Sequence, residues 1–387
     1  MIDFLPWLPA ILLIFPSMIV TVECLIACLP ISERNRIDAL RPPIAVLIPA
    51  HNESAVIEAT LDSVMKQLTM GDRILVVADN CSDETAQIAK SCGAEVIERK
   101  DEQLRGKGYA LAFGMAALRQ HPPEIMIIVD ADCHVADGAL NTLARTAYGL
   151  DRPVQALYLM LAGKSGQRKI AAFAWLIKNH VRALAMHRMG IACQLTGTGM
   201  AFPWRIISSM DLATGALVED MLLGSELVAN GHPPVFCPDA LVTSLFPSSD
   251  RDALTQRRRW EHGHIGMILN YFPSLLKMAL KQGDLKGILF AFDMMVPPLA
   301  LQAMLMLAGL GATGIYALLG HPLPFETMSA GFFLFSFALF AAWYRFGRGT
   351  IGVKDGFLIP VYMISKISVY LAYVFSRERD WVKTRRS

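Results

Sequence analysis

An acidic pair, Asp130 and Asp132, closes the apolar run Ile125 to Val129, and carboxylates spaced i and i+2 at a strand end can share one hard divalent cation. Such an ion keeps waters and takes its remaining ligands from a substrate diphosphate. The chemistry indicated is transfer from a phosphate-activated donor. Three other positions join that reading. Asp79, in Asp79-Asn80-Cys81-Ser82-Asp83, can accept hydrogen bonds from a base or a ribose, and Glu53 follows a neighbouring apolar run. Lys107, between Gly106 and Gly108, can approach phosphate or base closely. Each also has a structural reading, as an acidic turn residue, a helix cap or a surface lysine. Jointly they fit a nucleoside diphosphate bridged to a metal at Asp130 and Asp132. Further along, Gly197 and Gly199 in TGTGMAF would allow close backbone approach to a ligand.

Strand ends must hold these residues. The segments 44–50, 74–78, 95–98 and 125–133 read as strands, with helical apolar patterns between them. One such pattern runs through Leu61, Val64, Met65 and Leu68, with Ser54 as its expected cap, and another ends near Leu118. Strand and helix in strict succession predict an α/β fold with a parallel sheet, right-handed crossovers and ligands at the carboxyl ends of the strands. The sequence has no G-x-x-x-x-G-K-[ST] and no G-x-G-x-x-G between strand and helix, so the phosphate charge falls to the metal.

The chain has 387 residues, 53% of them hydrophobic, and a mean hydropathy of +0.39. That is too apolar for an ordinary soluble domain. The excess lies in residues 4–30 and 287–375, in runs near the ~20 apolar residues a bilayer requires, and predicts an integral membrane protein. A net charge of +2, with no Lys/Arg run interleaved with aromatics, excludes nucleic acid as a partner. The cysteines show no C-x-x-C spacing and read as reduced thiols of a cytoplasmic enzyme. The first apolar segment lacks a basic n-region and is too long for a secretory signal. Leu25-Ile26-Ala27-Cys28 matches a lipoprotein cleavage box, yet export would separate the middle domain from cytoplasmic nucleotides, so the segment reads as an uncleaved helix. Arg34, Arg36 and Arg41 follow it while only Asp3 precedes it, which places the middle domain in the cytoplasm. Glu23, near the end of this span, reads as an interfacial residue or a buried partner.

The motifs IPAHNES, VADNCSDET, LRGKGYAL, VDADC, TGTGMAF, VEDMLL and QRRRW, in that order over residues 42–263, resemble those of family-2 glycosyltransferases. The likeness is to the membrane-embedded branch that includes cellulose, chitin-oligosaccharide, poly-N-acetylglucosamine and hyaluronan synthases. It implies a GT-A nucleotide-diphospho-sugar transferase fold with flanking transmembrane helices, a nucleotide-sugar donor that is usually UDP-linked, an Mg²⁺ or Mn²⁺ ion, and inversion at the anomeric carbon. By position, Asp79 resembles the nucleoside-contacting aspartate, Asp130 and Asp132 the metal-binding pair with Asp132 as direct ligand, and Asp220 the general base. Glu219, and Gln256, Arg259 and Trp260 of QRRRW, resemble groups on the acceptor and diphosphate side. A single in-line displacement needs one carboxylate to take the acceptor proton. Arginine supplies fixed donors to phosphate, and tryptophan a face for a sugar ring. By themselves, Glu219-Asp220 also read as an acidic helix start and the arginine run as a solvated or membrane-facing patch.

The expected layout is a transmembrane helix in residues 1–33, a cytoplasmic catalytic domain in 34–262, an amphipathic interfacial helix in 263–286, and a membrane region in 287–387 with two or three spans and a basic tail. Ile170, Phe173, Ala174, Ile177, Val181 and Leu184 form a stripe in a basic segment that includes Lys164; it suits a bilayer surface or packing on the sheet. Spans are expected at 294–319 and 328–344, with the uncharged loop 320–327 outside and Arg345, Arg348 and Lys354 inside. Segment 356–375, with Lys366 at its middle, either crosses or lies at the interface and keeps the basic tail inside. The tail residues Trp381 to Arg385 loosely resemble the gating loop of hyaluronan synthases, with a different Trp-to-Thr spacing. The function expected is sugar transfer to a growing glycan at the cytoplasmic face of a bacterial-type inner membrane, in extracellular polysaccharide synthesis. Membrane lipids and export or assembly subunits are the expected partners. The alternatives are single addition to a lipid-linked acceptor and a catalytically silent scaffold of a glycan export complex.

Overall fold

The computed structural model describes residues 7–30, 39–163, 165–247 and 249–375. Arg34, Arg36, Lys164 and the tail from residue 376 onward, including Trp381 to Arg385, lie outside the described residues. The chain divides into two compact units. One is formed by described residues within Ser32–Leu161 and Ile191–Gly263, the other by those within Met1–Ile31, Ala162–Gly190 and His264–Arg377.

The first unit is built on eight strands: β1 (Ile44–Ala50), β2 (Arg73–Asp79), β3 (Glu95–Arg99), β4 (Ile125–Ile128), β5 (Cys133–Val135), β6 (Val154–Leu161), β7 (Met200–Pro203) and β8 (Val235–Leu245). They form one sheet in the order β3-β2-β1-β4-β7-β6-β8-β5. The first four are mutually parallel, because the helices Ile57–Met65, Thr85–Ser91 and Lys107–Leu118 carry the chain back between them. β7 runs antiparallel to β4, so the expected parallel sheet holds for four strands and the whole sheet is mixed. β1 and β4 are apolar throughout because both their faces are covered. Leu47, Val77, Met126, Ile128 and Phe202 share a core with Leu111, Met115 and Leu118 of the helix Lys107–Leu118. Gly114 lets that helix close in, since a Cβ there would lie 2.4 Å from Leu47 Cδ1.

Two local expectations are corrected. Segment 125–133 is two strands joined by a turn, because the Cys133 N–H bonds the Asp130 carbonyl at 3.2 Å and folds the chain back. Asp130 and Asp132 therefore sit in that turn. Ser54 caps no helix; its N–H donates to Asp83 Oδ2 at 3.2 Å, and the helix begins at Ile57.

Among the described residues of the second unit, four helices are long and apolar enough to cross a membrane: Ala10–Cys28, Leu299–Leu318, Leu323–Gly347 and Val353–Phe375. The first three meet through small residues, as helices in lipid do. A Cβ on Gly309 would stand 2.7 Å from Met328 Cε and 2.8 Å from Leu13 Cδ1, and one on Gly331 2.9 Å from Ile14 Cγ1. The span expected at 294–319 is split at Val296 to Pro298, between the helices Leu285–Met295 and Leu299–Leu318. Pro297 and Pro298 have no N–H to continue the ladder. The next span begins at Leu323, earlier than the expected 328. The segment after Pro360 is helical through Phe375, and Lys366 within it is buried, its ammonium 5.3 Å from the centroid of the Tyr362 ring.

The basic stretch with the apolar stripe belongs to this second unit. It forms the helix Gly166–Leu176, a π-turn Ile177–Arg182 and the helix Ala183–Arg188, and its π-turn and last helix lie against the helix Trp7–Cys28. Arg182, at the π-turn, donates to Glu23 Oε2 and to Asp293 Oδ1, each at 2.6 Å, with all three residues buried. Glu23 is thus a buried partner. Arg188 donates to the carbonyls of Ile26, Ala27 and Leu29, where the first helix runs out of internal partners.

Candidate active site

Strand register brings the chemistry to one edge. Leu47 pairs with Ile128 and Ala50 with Ala78, so the carboxyl ends of β1, β2 and β4 lie together. Because β7 is antiparallel to β4 with Met200 opposite Ile128, residue 198 falls opposite residue 130. The Asp130 N–H accordingly donates to the Thr198 hydroxyl at 3.0 Å. That contact delivers Gly197 into the acidic cluster. Gly197 has φ +89, and a Cβ there would lie 3.3 Å from both Asp220 Oδ2 and Lys107 Nζ and 3.9 Å from Asp130 Oδ2. Gly199, at φ +63, has no room for a Cβ against Ala156 and Val242, which would be 2.7 and 2.9 Å away. Backbone conformation favours glycine at both positions, and at Gly199 space requires it as well.

Lys107 is the hub. Its ammonium pairs with Asp130 Oδ1 at 2.5 Å, donates to the Gly197 carbonyl at 2.8 Å, and stands 3.7 Å from Glu219 Oε1. Burial works to lower its pKa, but the charges of Asp130, Glu219 and Asp220 outweigh this and hold it above the ordinary lysine range. Glu219 and Asp220 open the helix Glu219–Ala229, which is seated by Leu223 and Leu227 in the core. The Asp220 carboxylate accepts from the Met221 N–H at 2.9 Å. Burial pushes the Glu219 carboxyl up to about 7, with Lys107 opposing and the Asp220 charge adding to the rise.

Gln256, Arg259 and Trp260 fall at i, i+3 and i+4 on the helix Asp250–Asn270, so they share one face. Gly263 continues that face and lets it touch the segment before the acids, since a Cβ there would lie 2.6 Å from Val218 Cγ1. Arg259 is lowered by burial and sustained by the charges of Glu219, Asp130 and Asp220, which places its guanidinium in their field. Gln256 is buried.

Asp79 ends β2 opposite Arg99 at the end of β3. Arg99 donates to Asp79 Oδ1 at 2.7 Å, to Asp101 Oδ2 at 3.1 Å and to the Leu104 carbonyl at 2.7 Å. Asn52 and Asn80, at the ends of β1 and β2, adopt left-handed backbone at φ 54 and φ 51, and their amides lace the two loops together. Asn52 Oδ1 accepts from the Ser82 N–H at 2.7 Å, and Asn80 Oδ1 from the Asp101 N–H at 2.8 Å. Glu53 lies in the same loop, where its N–H donates to the Thr85 hydroxyl at 2.8 Å. Asp130, Lys107, Gly197, Glu219 and Asp220 are thus brought into one cluster, whereas Asp79 and Glu53 belong to the neighbouring loops along the edge.

The donor atoms of Asp130, Asp132 and Cys133 lie within 4.8 Å of one another. Cys133 is buried, and burial pushes its thiol up to about 12, so it stays protonated and its Sγ contacts Asp132 Oδ1 at 3.6 Å. What is left is a carboxylate set suited to a hard divalent ion. Ser244 orients it by donating to Asp132 Oδ2 at 3.2 Å, as the pairing of Cys133 with Ser244 dictates. Ser244, Arg99 and Gln155 are site residues that the sequence reading missed. Gln155 is buried and clamps the glycine loop, accepting from the Thr196 N–H and donating to the Thr198 carbonyl, both at 2.9 Å. None of the three lies in a motif.

A family model described as "Glycosyltransferase like family 2" matches residues 42–263. The probable glycosyltransferase YdaM of Bacillus subtilis is 26% identical over 259 residues, 62% of this chain and 60% of that protein. The 4,4'-diaponeurosporenoate glycosyltransferase of Staphylococcus haemolyticus is 31% identical over 114 residues, 27% of this chain and 29% of that protein. The chain thus spans about 60% or less of the length of these relatives. Among solved structures, a mannosyltransferase of Pyrobaculum calidifontis in complex with GDP-mannose and Mn²⁺ aligns with a TM-score of 0.55 at 17% identity, over 97% of this chain and 100% of that one.

Proposed function

The chain belongs to the glycosyltransferase-like family 2 and has the mixed α/β sheet of the GT-A-like fold, and from that premise we propose that it transfers a sugar, with inversion, from a nucleotide-sugar to an acceptor at a membrane. The observation that carries this reading is the meeting of Asp130, Lys107, Glu219 and Asp220 around Gly197. The donor is UDP-linked in this reading, with its nucleoside on the edge that Arg99 and the two asparagines fix around Asp79. Asp130 and Asp132 would hold an Mg²⁺ or Mn²⁺ ion, whose positive charge would offset the negative charge of the departing diphosphate.

The Asp220 carboxylate takes the acceptor hydroxyl proton as the acceptor oxygen bonds to the anomeric carbon. The bond from that carbon to the diphosphate oxygen breaks, and the nucleoside diphosphate leaves with the electron pair. Arg259 supplies positive charge on the diphosphate side, and Trp260 a face for the acceptor sugar.

The four apolar helices support a membrane location. Positive charge in Arg41 and Arg345 favours a cytoplasmic catalytic unit. Close packing at Gly309 and Gly331 fills the seam between the first three spans, where a growing glycan would need room. That packing favours addition of one sugar to a lipid-linked acceptor over polymer synthesis by this chain alone. The test is a screen of nucleotide sugars against the purified full chain for metal-dependent release of nucleoside diphosphate, with sizing of the product. A single organic-extractable adduct is expected; a long water-soluble polymer would restore the polysaccharide reading, and release with no product on any acceptor would reject both.

A further inference from the structure

We infer that Lys107 is a built-in rival of the divalent ion for Asp130, and that this rivalry makes binding of metal and nucleotide cooperative. The inference rests on the reading of Asp130 and Asp132 as a metal site. The Lys107 ammonium has three oxygens about it: Asp130 Oδ1 at 2.5 Å, the Gly197 carbonyl at 2.8 Å and Glu219 Oε1 at 3.7 Å. The first two lie at hydrogen-bond distance and the third at ion-pair distance, so the ammonium is held by one carboxylate, one carbonyl and a second acid's charge. Its side chain is 18% exposed, and little solvent competes with these contacts.

Local structure alone would not put a cation there. Lys107 is the first residue of the helix Lys107–Leu118, where the helix dipole disfavours positive charge. The acids hold it against that field. Their charges count as four negatives, Asp130, Asp132, Glu219 and Asp220, against two positives, Lys107 and Arg259, once Glu219 is ionised. The remainder equals one divalent cation. Asp132 is directed by Ser244, which donates to its Oδ2 at 3.2 Å and presents it as the first anchor for the ion. Asp130 is the shared carboxylate.

An ion that took Asp130 Oδ1 would displace the ammonium and leave it with the Gly197 carbonyl and Glu219. Phosphate oxygens of an incoming nucleotide restore its lost partner. Metal alone therefore pays for the displacement, whereas metal with a nucleoside diphosphate does not, and by linkage each raises the affinity of the other.

Mn²⁺ binding to the purified full chain, read by electron paramagnetic resonance of the free ion with and without UDP and with and without GDP, tests this. Lys107→Met should bind Mn²⁺ alone roughly tenfold more tightly than the natural protein, and the enhancement of Mn²⁺ binding by nucleotide should shrink by a similar factor. Lys107→Gln should move in the same direction, and Lys107→Arg should leave Mn²⁺ binding weak. A residue that merely supports the fold would weaken metal binding when replaced. Unchanged or weaker Mn²⁺ binding in either neutral variant overturns the inference. Asp132→Asn separates it from its premise: if that change leaves Mn²⁺ binding intact, the metal site itself is misplaced, whereas weaker binding there with no change at Lys107→Met removes the rivalry alone.

Discussion

Arg99 holds Asp79 across the β2–β3 register, its Nη1 2.7 Å from Asp79 Oδ1, with both side chains about one-tenth exposed. Removing the cation would leave a carboxylate with little water and no counter-charge. Arg99→Met should destabilise the catalytic unit by about 3 kcal/mol and weaken nucleotide binding. The unfolding midpoint and a nucleotide titration check this, and the double change with Asp79→Asn should be less costly in stability than Arg99→Met alone.

Asp220→Asn keeps shape and removes the proposed base. Sugar transfer should fall by about 10²–10⁴-fold. Nucleoside diphosphate and Mn²⁺ binding should persist, as measured by calorimetry on the same preparation. Transfer at an undiminished rate would reassign the base.

Glu219 titrates at about 7 in the folded chain against an ordinary 4.5. The folded state therefore binds this proton more strongly than the unfolded state. Below pH 4.5 both forms are protonated and the group is neutral to stability; as pH rises through 4.5 toward 7, the folded state is progressively penalised. Glu219→Gln should gain stability relative to the natural protein over that window and hold a constant difference above it. Unfolding midpoints of the pair at several pH values measure the slope, and parallel curves would refute the assignment.

In the membrane unit, Arg182 neutralises two buried carboxylates at once, Glu23 and Asp293. Arg182→Met alone should lower the yield of folded protein in detergent sharply, with a cost of about 3–5 kcal/mol. Combining it with Glu23→Gln and Asp293→Asn should recover most of the loss. Size-exclusion monodispersity after mild heating provides the readout.

The donor edge was legible because parallel strands deliver their carboxyl ends to one side whatever their exact limits. Asp79, Asp130 and Asp132 could be placed from apolar runs alone. Asp220 and QRRRW came only through resemblance, since an acidic helix start and an arginine run each have ordinary structural roles. The pairing of β4 with β7 was not legible: it joins residues about seventy positions apart, and nothing local to 125–133 specifies an antiparallel neighbour. Arg99, Gln155 and Ser244 depend on such pairings and so escaped notice. The basic stripe at 170–184 shows why periodicity identifies an apolar face but not what covers it. Ser54 failed as a cap because the helix starts only at Ile57, which puts Val56 at the capping position.

Asn52 and Asn80 sit in left-handed backbone at the two strand ends beside Asp79. Each such residue carries a conformational cost of order 1 kcal/mol or more, met when the chain folds. On the proposed reading, the loops that would receive the nucleoside are set in shape before it arrives. Association at this edge should then show a small entropic penalty for ordering, a heat signature dominated by enthalpy, and an on-rate set by encounter instead of loop rearrangement.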